Sequence, residues 1–85
     1  MSELTQEVID YIVREIIRRP SVKIDENTPL VSSGLIDSLA LVDILQKLED
    51  VTDTRVPAGK VQASDMDTVR LMFSTVARVG KPRSK

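Results

Sequence analysis

The chain has 85 residues, enough for one small domain and too few for two, and with only Tyr11 and Phe73 as aromatics its core must be aliphatic. It contains neither cysteine nor histidine, which excludes a disulfide framework and a thiolate metal site and argues against an enzyme, because the usual general bases and nucleophiles are missing. The formal net charge is −1, but residues 1–77 are acidic, because the last eight residues hold four bases, Arg78, Lys81, Arg83 and Lys85.

The first predicted element is a helix at the start of the chain. Ser2 can act as its N-cap. Its apolar residues recur at helical spacing, and they are Leu4, Val8, Ile9, Ile12 and Ile16. Arg18-Arg19-Pro20 ends it, because basic side chains favour the negative end of a helix dipole and proline cannot continue a helix. We therefore interpret the two arginines as a helix end rather than a nucleic-acid patch.

Residues 20–37 form an unusually long connection to the next helix. Pro29 and Gly34 predict turns within it, and a short helical turn over residues 25–29 is an alternative. Apolar side chains along it can pin the loop across the core, and they are Val22, Ile24, Leu30, Val31, Leu35 and Ile36. We therefore expect an ordered loop that belongs to the folded domain.

The start of the second helix is the most informative part of the chain. Asp37 and Ser38 are both good N-cap residues at the point where the loop turns into an apolar, helix-period segment. The unpaired backbone N–H groups and the dipole of a helix start also favour a phosphate. Ser38 can therefore be an exposed attachment point for a phosphodiester or, alternatively, an ordinary helix cap.

The two faces of this helix differ in character. The core-facing stripe consists of Leu41, Ile44, Leu45 and Leu48. Leu39 falls almost opposite, beside Asp43 and Gln46, and Val42 lies on the flank between the two faces. An apolar residue next to the serine, with a carboxylate one turn on, favours a small partner-docking surface, although a single exposed leucine is also common.

A short helix near residues 57–61 and a third main helix follow. Ser64 and Asp67 have the spacing of a capping box before the third helix, and Gly80 and Pro82 follow its end. Its apolar stripe consists of Val69, Met72, Phe73 and Val76.

These elements predict an all-α fold, a small antiparallel bundle of three main helices plus a short helix, with a long first loop. The folded domain covers residues 1–79, and residues 80–85 form a short basic tail that we expect to be disordered. The tail is too short and too poor in aromatic residues to predict nucleic-acid binding. We find no membrane span and no signal-peptide pattern in the sequence, so we expect a cytoplasmic location.

One segment resembles a known family. Gly34-Leu35-Ile36-Asp37-Ser38-Leu39, followed by the apolar stripe of the second helix, is similar to the phosphopantetheine attachment segment of acyl carrier proteins and related carrier domains. Thr28-Pro29-Leu30, Val56-Pro57 and residues 65–70 follow the family's order and approximate spacing. The resemblance covers about residues 3–79 and implies the family's helical-bundle fold.

The resemblance implies a carrier protein that performs no chemistry itself, with no catalytic residue and no metal site. Ser38, preceded by Asp37, would hold 4'-phosphopantetheine from coenzyme A, and the arm would supply the thiol that this cysteine-free chain lacks. An acyl or aminoacyl group would be carried on it as a thioester. The implied partners are a phosphopantetheinyl transferase, an acyl- or aminoacyl-loading ligase and downstream acyl-processing enzymes, and they would dock on Leu39, Val42, Asp43 and Gln46. We expect a monomer.

Two departures from fatty-acid carriers bear on the cargo. Those carriers typically place an acid after Asp-Ser-Leu and keep the second helix strongly acidic, whereas this chain has Ala40 and Lys47. Residues 37–50 still carry a local charge of −3, from Asp37, Asp43, Glu49 and Asp50 against Lys47, which can steer partner encounter. The motif is also similar to stand-alone carriers loaded by adenylating ligases, including D-alanyl and other aminoacyl carriers.

The pathway stays open at this point, and fatty acid and secondary metabolite biosynthesis both fit. Carrier domains of nonribosomal peptide synthetases fit less well, because they usually have a Gly-Gly-x-Ser type of motif. The alternative function is an unmodified helical protein-interaction module in which Ser38 is only a helix cap.

Overall fold

The computed structural model describes residues 3–83. Its main helices are α1 (Glu3–Tyr11), α2 (Ala40–Thr52) and α3 (Val69–Val79). α1 continues as a π-helical turn over Ile12–Ile17, and two 3₁₀ helices, Ala58–Lys60 and Ala63–Met66, lie between α2 and α3. Two-residue strands, β1 (Thr54–Arg55) and β2 (Lys81–Pro82), pair antiparallel. The predicted small all-α bundle is confirmed.

The first helix buries the face that its sequence predicts, except in its first turn. Val8, Ile9 and Ile12 are buried in the core. Leu4, predicted on the same face, is 39% exposed and lies outside the core cluster. The predicted cap Ser2 lies outside the described residues.

The helix ends at the predicted arginine pair. Arg18 adopts a left-handed backbone conformation with φ 60°, and its N–H donates to the Val13 carbonyl at 2.8 Å. That hydrogen bond spans five residues, as in a π-helix, so the last turn is wider than an α-helical turn. Ile16, predicted in the core stripe, is half-buried there.

The core is aliphatic, as the composition predicts. Leu30 and Ile36 of the first loop are buried in it, which confirms that the loop is pinned across the core, whereas Val22 is half-buried outside the core cluster. The buried apolar side chains are Val8, Ile9, Ile12, Leu30, Ile36, Ile44, Leu48, Val56, Met66, Val69, Met72 and Val76.

Polar residues form the turns of the first loop. The Thr28 N–H donates to the Asp25 carbonyl at 3.3 Å, and the Asn27 N–H donates to the Asp25 carboxylate at 2.8 Å. This β-turn takes the place of the alternative helical turn over residues 25–29, because the aspartate side chain bonds the backbone two residues on. Gly34 has φ +83°, a conformation that favours glycine and fits the predicted turn.

The start of α3 differs from the predicted capping box of Ser64 and Asp67. The box joins Gln62 and Asp65, whose carboxylate accepts from the Gln62 N–H at 3.0 Å. This box caps the start of the 3₁₀ helix Ala63–Met66 rather than the start of α3. α3 begins after Thr68, whose hydroxyl accepts from the Leu71 N–H at 3.0 Å. The predicted box is therefore wrong, and Asp67 bonds to the first loop instead.

Strand β2 ties the chain after α3 to the end of α2. Thr54 pairs with Pro82, and Arg55 pairs with Lys81. The Arg83 guanidinium donates to the Thr54 carbonyl at 3.0 Å and to the Asp50 carboxylate at 2.9 Å. The disorder expected for residues 80–85 therefore does not describe residues 81–83, because both the backbone and the arginine side chain bond to the domain.

Helices α2 and α3 run in the same direction. Their C-terminal ends meet through β1 and β2, and at the other end Met66, just before α3, shares a groove with Leu41 and Leu45 of α2. The chain returns from β1 to the start of α3 through residues 56–68, which we call the return segment. The return segment therefore lies beside the first turns of α2.

Candidate functional site

Ser38 lies in a turn immediately before α2, where its side chain is exposed. The Ala40 N–H donates to the Asp37 carboxylate at 3.0 Å and to the Asp37 carbonyl at 3.2 Å. The side-chain hydrogen bond at the helix start thus comes from Asp37, and the Ser38 hydroxyl makes no hydrogen bond within residues 3–83. Of the two predicted cap residues, only Asp37 has that role, and the serine hydroxyl is available for chemistry.

The backbone N–H groups at this helix start are less open than the sequence predicts. The Ala40 N–H is bonded to Asp37, and the Leu41 N–H donates to the Ser38 carbonyl at 3.3 Å. The Asp37 carboxylate therefore occupies part of the region where a phosphate was expected to bind. A group attached to Ser38 would extend from the side of the helix start, where the hydroxyl is exposed.

An open groove of about 230 Å³ begins beside Ser38. One side is formed by the first turns of α2, and the other by the return segment. Among residues 3–83, its lining includes no charged side chain, and it consists of Ser38, Leu41, Val42, Leu45, Ala58, Val61, Gln62, Ala63 and Met66. The sequence analysis did not predict this groove, because the return segment has no apolar periodicity that would place it against α2.

The predicted docking residues lie on the outside of α2. Leu39 is 82% exposed and Val42 is 62% exposed, and the side chains of Asp43 and Gln46 are exposed as well. Val42 also lines the groove, so the exposed apolar surface continues from the helix into the groove. Together Leu39, Val42, Asp43 and Gln46 form what we call the α2 outer face.

The charges of α2 are distributed unequally around Ser38. Lys47 pairs with Glu7 of α1 at 3.0 Å, and its ammonium lies 5.5 Å from the centre of the Tyr11 ring. The Glu49 carboxylate accepts from the Val56 N–H at 2.6 Å, and Asp50 pairs with Arg83. Lys47, Glu49 and Asp50, which contribute to the predicted local charge of −3, are therefore bonded to other parts of the domain. The exposed acids near Ser38 that stay outside these contacts are Asp37 and Asp43.

A further carboxylate, Asp67, holds the first loop. One of its oxygens accepts from the N–H groups of Val31 at 2.8 Å, Ser32 at 2.9 Å and Leu30 at 3.2 Å, and the other accepts from the Ser32 hydroxyl at 2.8 Å. Hydrogen bonds from the Ser32 N–H above all, and then from the Ser32 hydroxyl, Val31 and Leu30, lower the pKa of Asp67 below its usual value of 3.8. No local pattern could have found this contact, because the partners are at least 35 residues apart.

The family of the chain is indicated by comparison with known proteins. Residues 7–77 match the family model described as phosphopantetheine attachment site. The matched range contains Ser38, the groove and Asp67. Comparison with curated proteins and with solved structures gave no match. Within residues 3–83, each helix is too short or too polar to cross a membrane.

Proposed function

The chain belongs to the phosphopantetheine attachment site family, and on that premise we propose that Ser38 is the residue that carries the arm. The protein is a carrier whose cofactor is covalently attached 4'-phosphopantetheine. When attached, this group supplies a terminal thiol that holds a cargo as a thioester. The residues fit that role, because the chain has no cysteine of its own and Ser38 presents an exposed hydroxyl next to a groove.

The observation that carries the proposal is that Asp37, and not Ser38, caps the start of α2. Asp37 makes the side-chain hydrogen bond to the helix, which leaves the Ser38 hydroxyl exposed. That hydroxyl oxygen would attack the phosphorus of coenzyme A that bears the pantetheine, forming a serine phosphodiester and releasing adenosine 3',5'-bisphosphate. The hydroxyl proton passes to a base on the transferase, since this chain has no histidine. The alternative, an unmodified interaction module with Ser38 as a cap, lacks the cap hydrogen bond that it requires.

Partner enzymes would dock on the α2 outer face. Leu39 and Val42 offer apolar contact area next to the attachment point, and Asp43 adds a negative charge one turn away. Because Lys47 faces Glu7 on α1, it does not neutralise this surface through a direct pair with Asp43. The partners would be a phosphopantetheinyl transferase, a ligase that loads the cargo, and the enzymes that use it.

The cargo we propose is an uncharged acyl group rather than an aminoacyl group. The groove beside Ser38 is lined mainly by apolar side chains, and the described part of the chain places no carboxylate in it that could pair with an ammonium group. Moving an unpaired charge from water into such a groove is unfavourable, whereas an alkyl chain gains from leaving water. An acyl chain at the end of the arm would therefore fold back into the groove, and an aminoacyl group would stay in solvent.

Two experiments test these proposals. Incubation with coenzyme A and a broad-specificity transferase should add one phosphopantetheine per chain, measured by intact mass. Ser38→Ala should abolish the addition. Ser64 is an exposed serine on the return segment, and Ser64→Ala should leave the addition unchanged. Folding of Ser38→Ala is checked by circular dichroism, and little change is expected because Asp37, not Ser38, makes the side-chain hydrogen bond at the helix start. Addition at a different serine would refute the assignment.

The cargo is tested with a matched pair of groups that differ by one amine. Butanoyl and 2-aminobutanoyl arms are attached to Ser38 from the corresponding coenzyme A thioesters. The methyl resonances of Val61 and Met66, which line the groove, should shift with butanoyl and stay unchanged with 2-aminobutanoyl. Equal shifts with both cargoes, or a larger one with 2-aminobutanoyl, would favour an aminoacyl carrier.

A further inference from the structure

We propose that Asp67 is a positioning residue that fixes the conformation in which Ser38 is presented to the transferase. The inference rests on the proposed attachment of the arm to Ser38. Asp67 lies 29 positions beyond Ser38 in the chain and belongs to the return segment, so its influence would act through the first loop. It would touch neither coenzyme A nor the reacting hydroxyl.

Asp67 is joined to the first loop by several hydrogen bonds. A single carboxylate accepts hydrogen bonds from three successive N–H groups, those of Leu30, Val31 and Ser32, and from the Ser32 hydroxyl. The Asp67 backbone carbonyl also accepts from the Leu30 N–H at 2.7 Å. Hydrogen bonds to an ionised acceptor are shorter and stronger than neutral ones. The carboxylate therefore defines where this part of the loop lies relative to the return segment.

The held part of the loop is connected to Ser38 through a hydrogen-bonded turn. The Gly34 N–H donates to the Val31 carbonyl at 3.1 Å, and the Ile36 N–H donates to the Leu30 carbonyl at 3.1 Å, so residues 30–36 close on themselves. Ile36 is also buried in the core, two residues before Ser38. A loop that is closed in this way moves as a unit, and displacement at Ser32 would be carried to the serine.

Asp67 also follows Met66, which lines the groove opposite α2. The same residue therefore joins the loop before Ser38 to the groove wall that faces the arm. Release of the carboxylate contacts would loosen the serine without removing the core residues, because Leu30 and Ile36 stay buried and the backbone bond between Leu30 and Asp67 persists. This makes a functional effect separable from unfolding.

The matched variants are Asp67→Ala and Asp65→Ala. Asp65 lies two residues earlier in the return segment, bonds to the Gln62 N–H and lies 3.8 Å from the Arg78 guanidinium, but it has no hydrogen bond to residues 30–32. Both variants lose an acid that bonds backbone, and only Asp67→Ala releases the loop. Asp67→Asn keeps one acceptor oxygen for the three N–H groups and should behave between wild type and Asp67→Ala.

The readouts are transferase kinetics and amide hydrogen exchange on the full chain. For Asp67→Ala, KM for the carrier should rise about tenfold with kcat nearly unchanged, as expected when the competent conformation falls to about one tenth of the population. The amides of Val31 and Ser32 should exchange faster. Asp65→Ala should lower the melting temperature while KM and these two amides stay as in wild type. If Asp67→Ala does not fold, Asp67→Asn should still raise KM in the same direction.

The possible results separate this inference from the proposed function. Wild type modified at Ser38, together with an unchanged KM in folded Asp67→Ala, would overturn the positioning role alone. An equal rise in KM for Asp65→Ala would overturn it as well, because the effect would then belong to the stability of the return segment. Wild type that is never modified at Ser38 would overturn both.

Discussion

The two faces of α2 predict opposite effects for the same substitution at Leu39 and Leu48. Leu48 has no exposed surface, whereas Leu39 is 82% exposed and lies next to Ser38. Replacing a fully buried leucine by alanine removes its burial energy and leaves a cavity, which costs about 2 to 5 kcal/mol. Replacing an exposed leucine usually changes stability by less than about 0.5 kcal/mol.

These magnitudes are large relative to the domain. At about 0.05 to 0.15 kcal/mol per residue, a chain of 85 residues has a free energy of unfolding of roughly 4 to 13 kcal/mol. In a domain of this size 1 kcal/mol shifts the melting temperature by about 4 to 8 °C. Leu48→Ala should therefore lower it by roughly 8 to 40 °C, and Leu39→Ala by less than about 4 °C.

Urea unfolding and transferase kinetics together test this prediction. Leu48→Ala should lower the urea midpoint and, at a temperature where it is folded, be modified as efficiently as wild type. Leu39→Ala should keep the midpoint and lose efficiency, because an apolar contact beside the reacting serine is gone. If Leu39→Ala destabilised the protein as much as Leu48→Ala, or left modification unchanged, the α2 outer face would not be the docking surface.

Two further predictions concern charge. Asp43→Lys should lower the efficiency of the transferase, and the deficit should shrink as salt is raised toward physiological strength, where the Debye length is about 8 Å. Asp10→Lys makes the same charge change on α1, outside the groove, and should have little effect. Equal losses in both variants would indicate an effect of net charge rather than of a local surface. The pKa of Asp67 is lowered in the folded state, so its contribution to stability is present above the unfolded pKa of 3.8 and is lost as pH falls through the folded value. The difference in urea midpoint between wild type and Asp67→Asn should therefore be full at neutral pH and shrink below about pH 4. A difference that grows on acidification would contradict the hydrogen-bonded carboxylate.

Helix periodicity predicted the sides of the helices well. The exposure of Leu39 and the burial of Ile44 and Leu48 are seen in the structure. The predicted burial of Leu30 in the first loop is seen as well, although it rested on the apolar character of the residue and not on periodicity. Leu41 and Leu45, on the same predicted stripe, are only half-buried, because the stripe faces the groove near Ser38 and the core further along α2. Periodicity predicts which side of a helix is apolar, but not how tightly each turn is covered.

Features that depend on distant pairs could not be read from the sequence. An acid three residues after a serine favours a local capping box, and Asp67 was predicted as that acid, but its carboxylate bonds residues 35 to 37 positions away. The ion pairs of Lys47 with Glu7 and of Arg83 with Asp50 are likewise set by packing. The family pattern pointed to Ser38, whereas the groove required the path of the chain between β1 and α3.

The attachment of the return segment has a mechanical consequence for the groove. Near the N-terminal end of the segment, the Val56 N–H donates to the Glu49 carboxylate and the Val56 side chain is buried. Near its C-terminal end, the Asp67 carboxylate accepts hydrogen bonds from the first loop. Between these two points the segment carries Ala58, Val61 and Met66. Its second 3₁₀ helix is held as well, because Met66 is buried and the Thr75 hydroxyl donates to the Asp65 carbonyl at 3.2 Å. Residues 57–60, by contrast, are exposed. We therefore expect a cargo that is too large for the groove to displace this exposed part of the segment, with the ends of α2 and α3 staying in place.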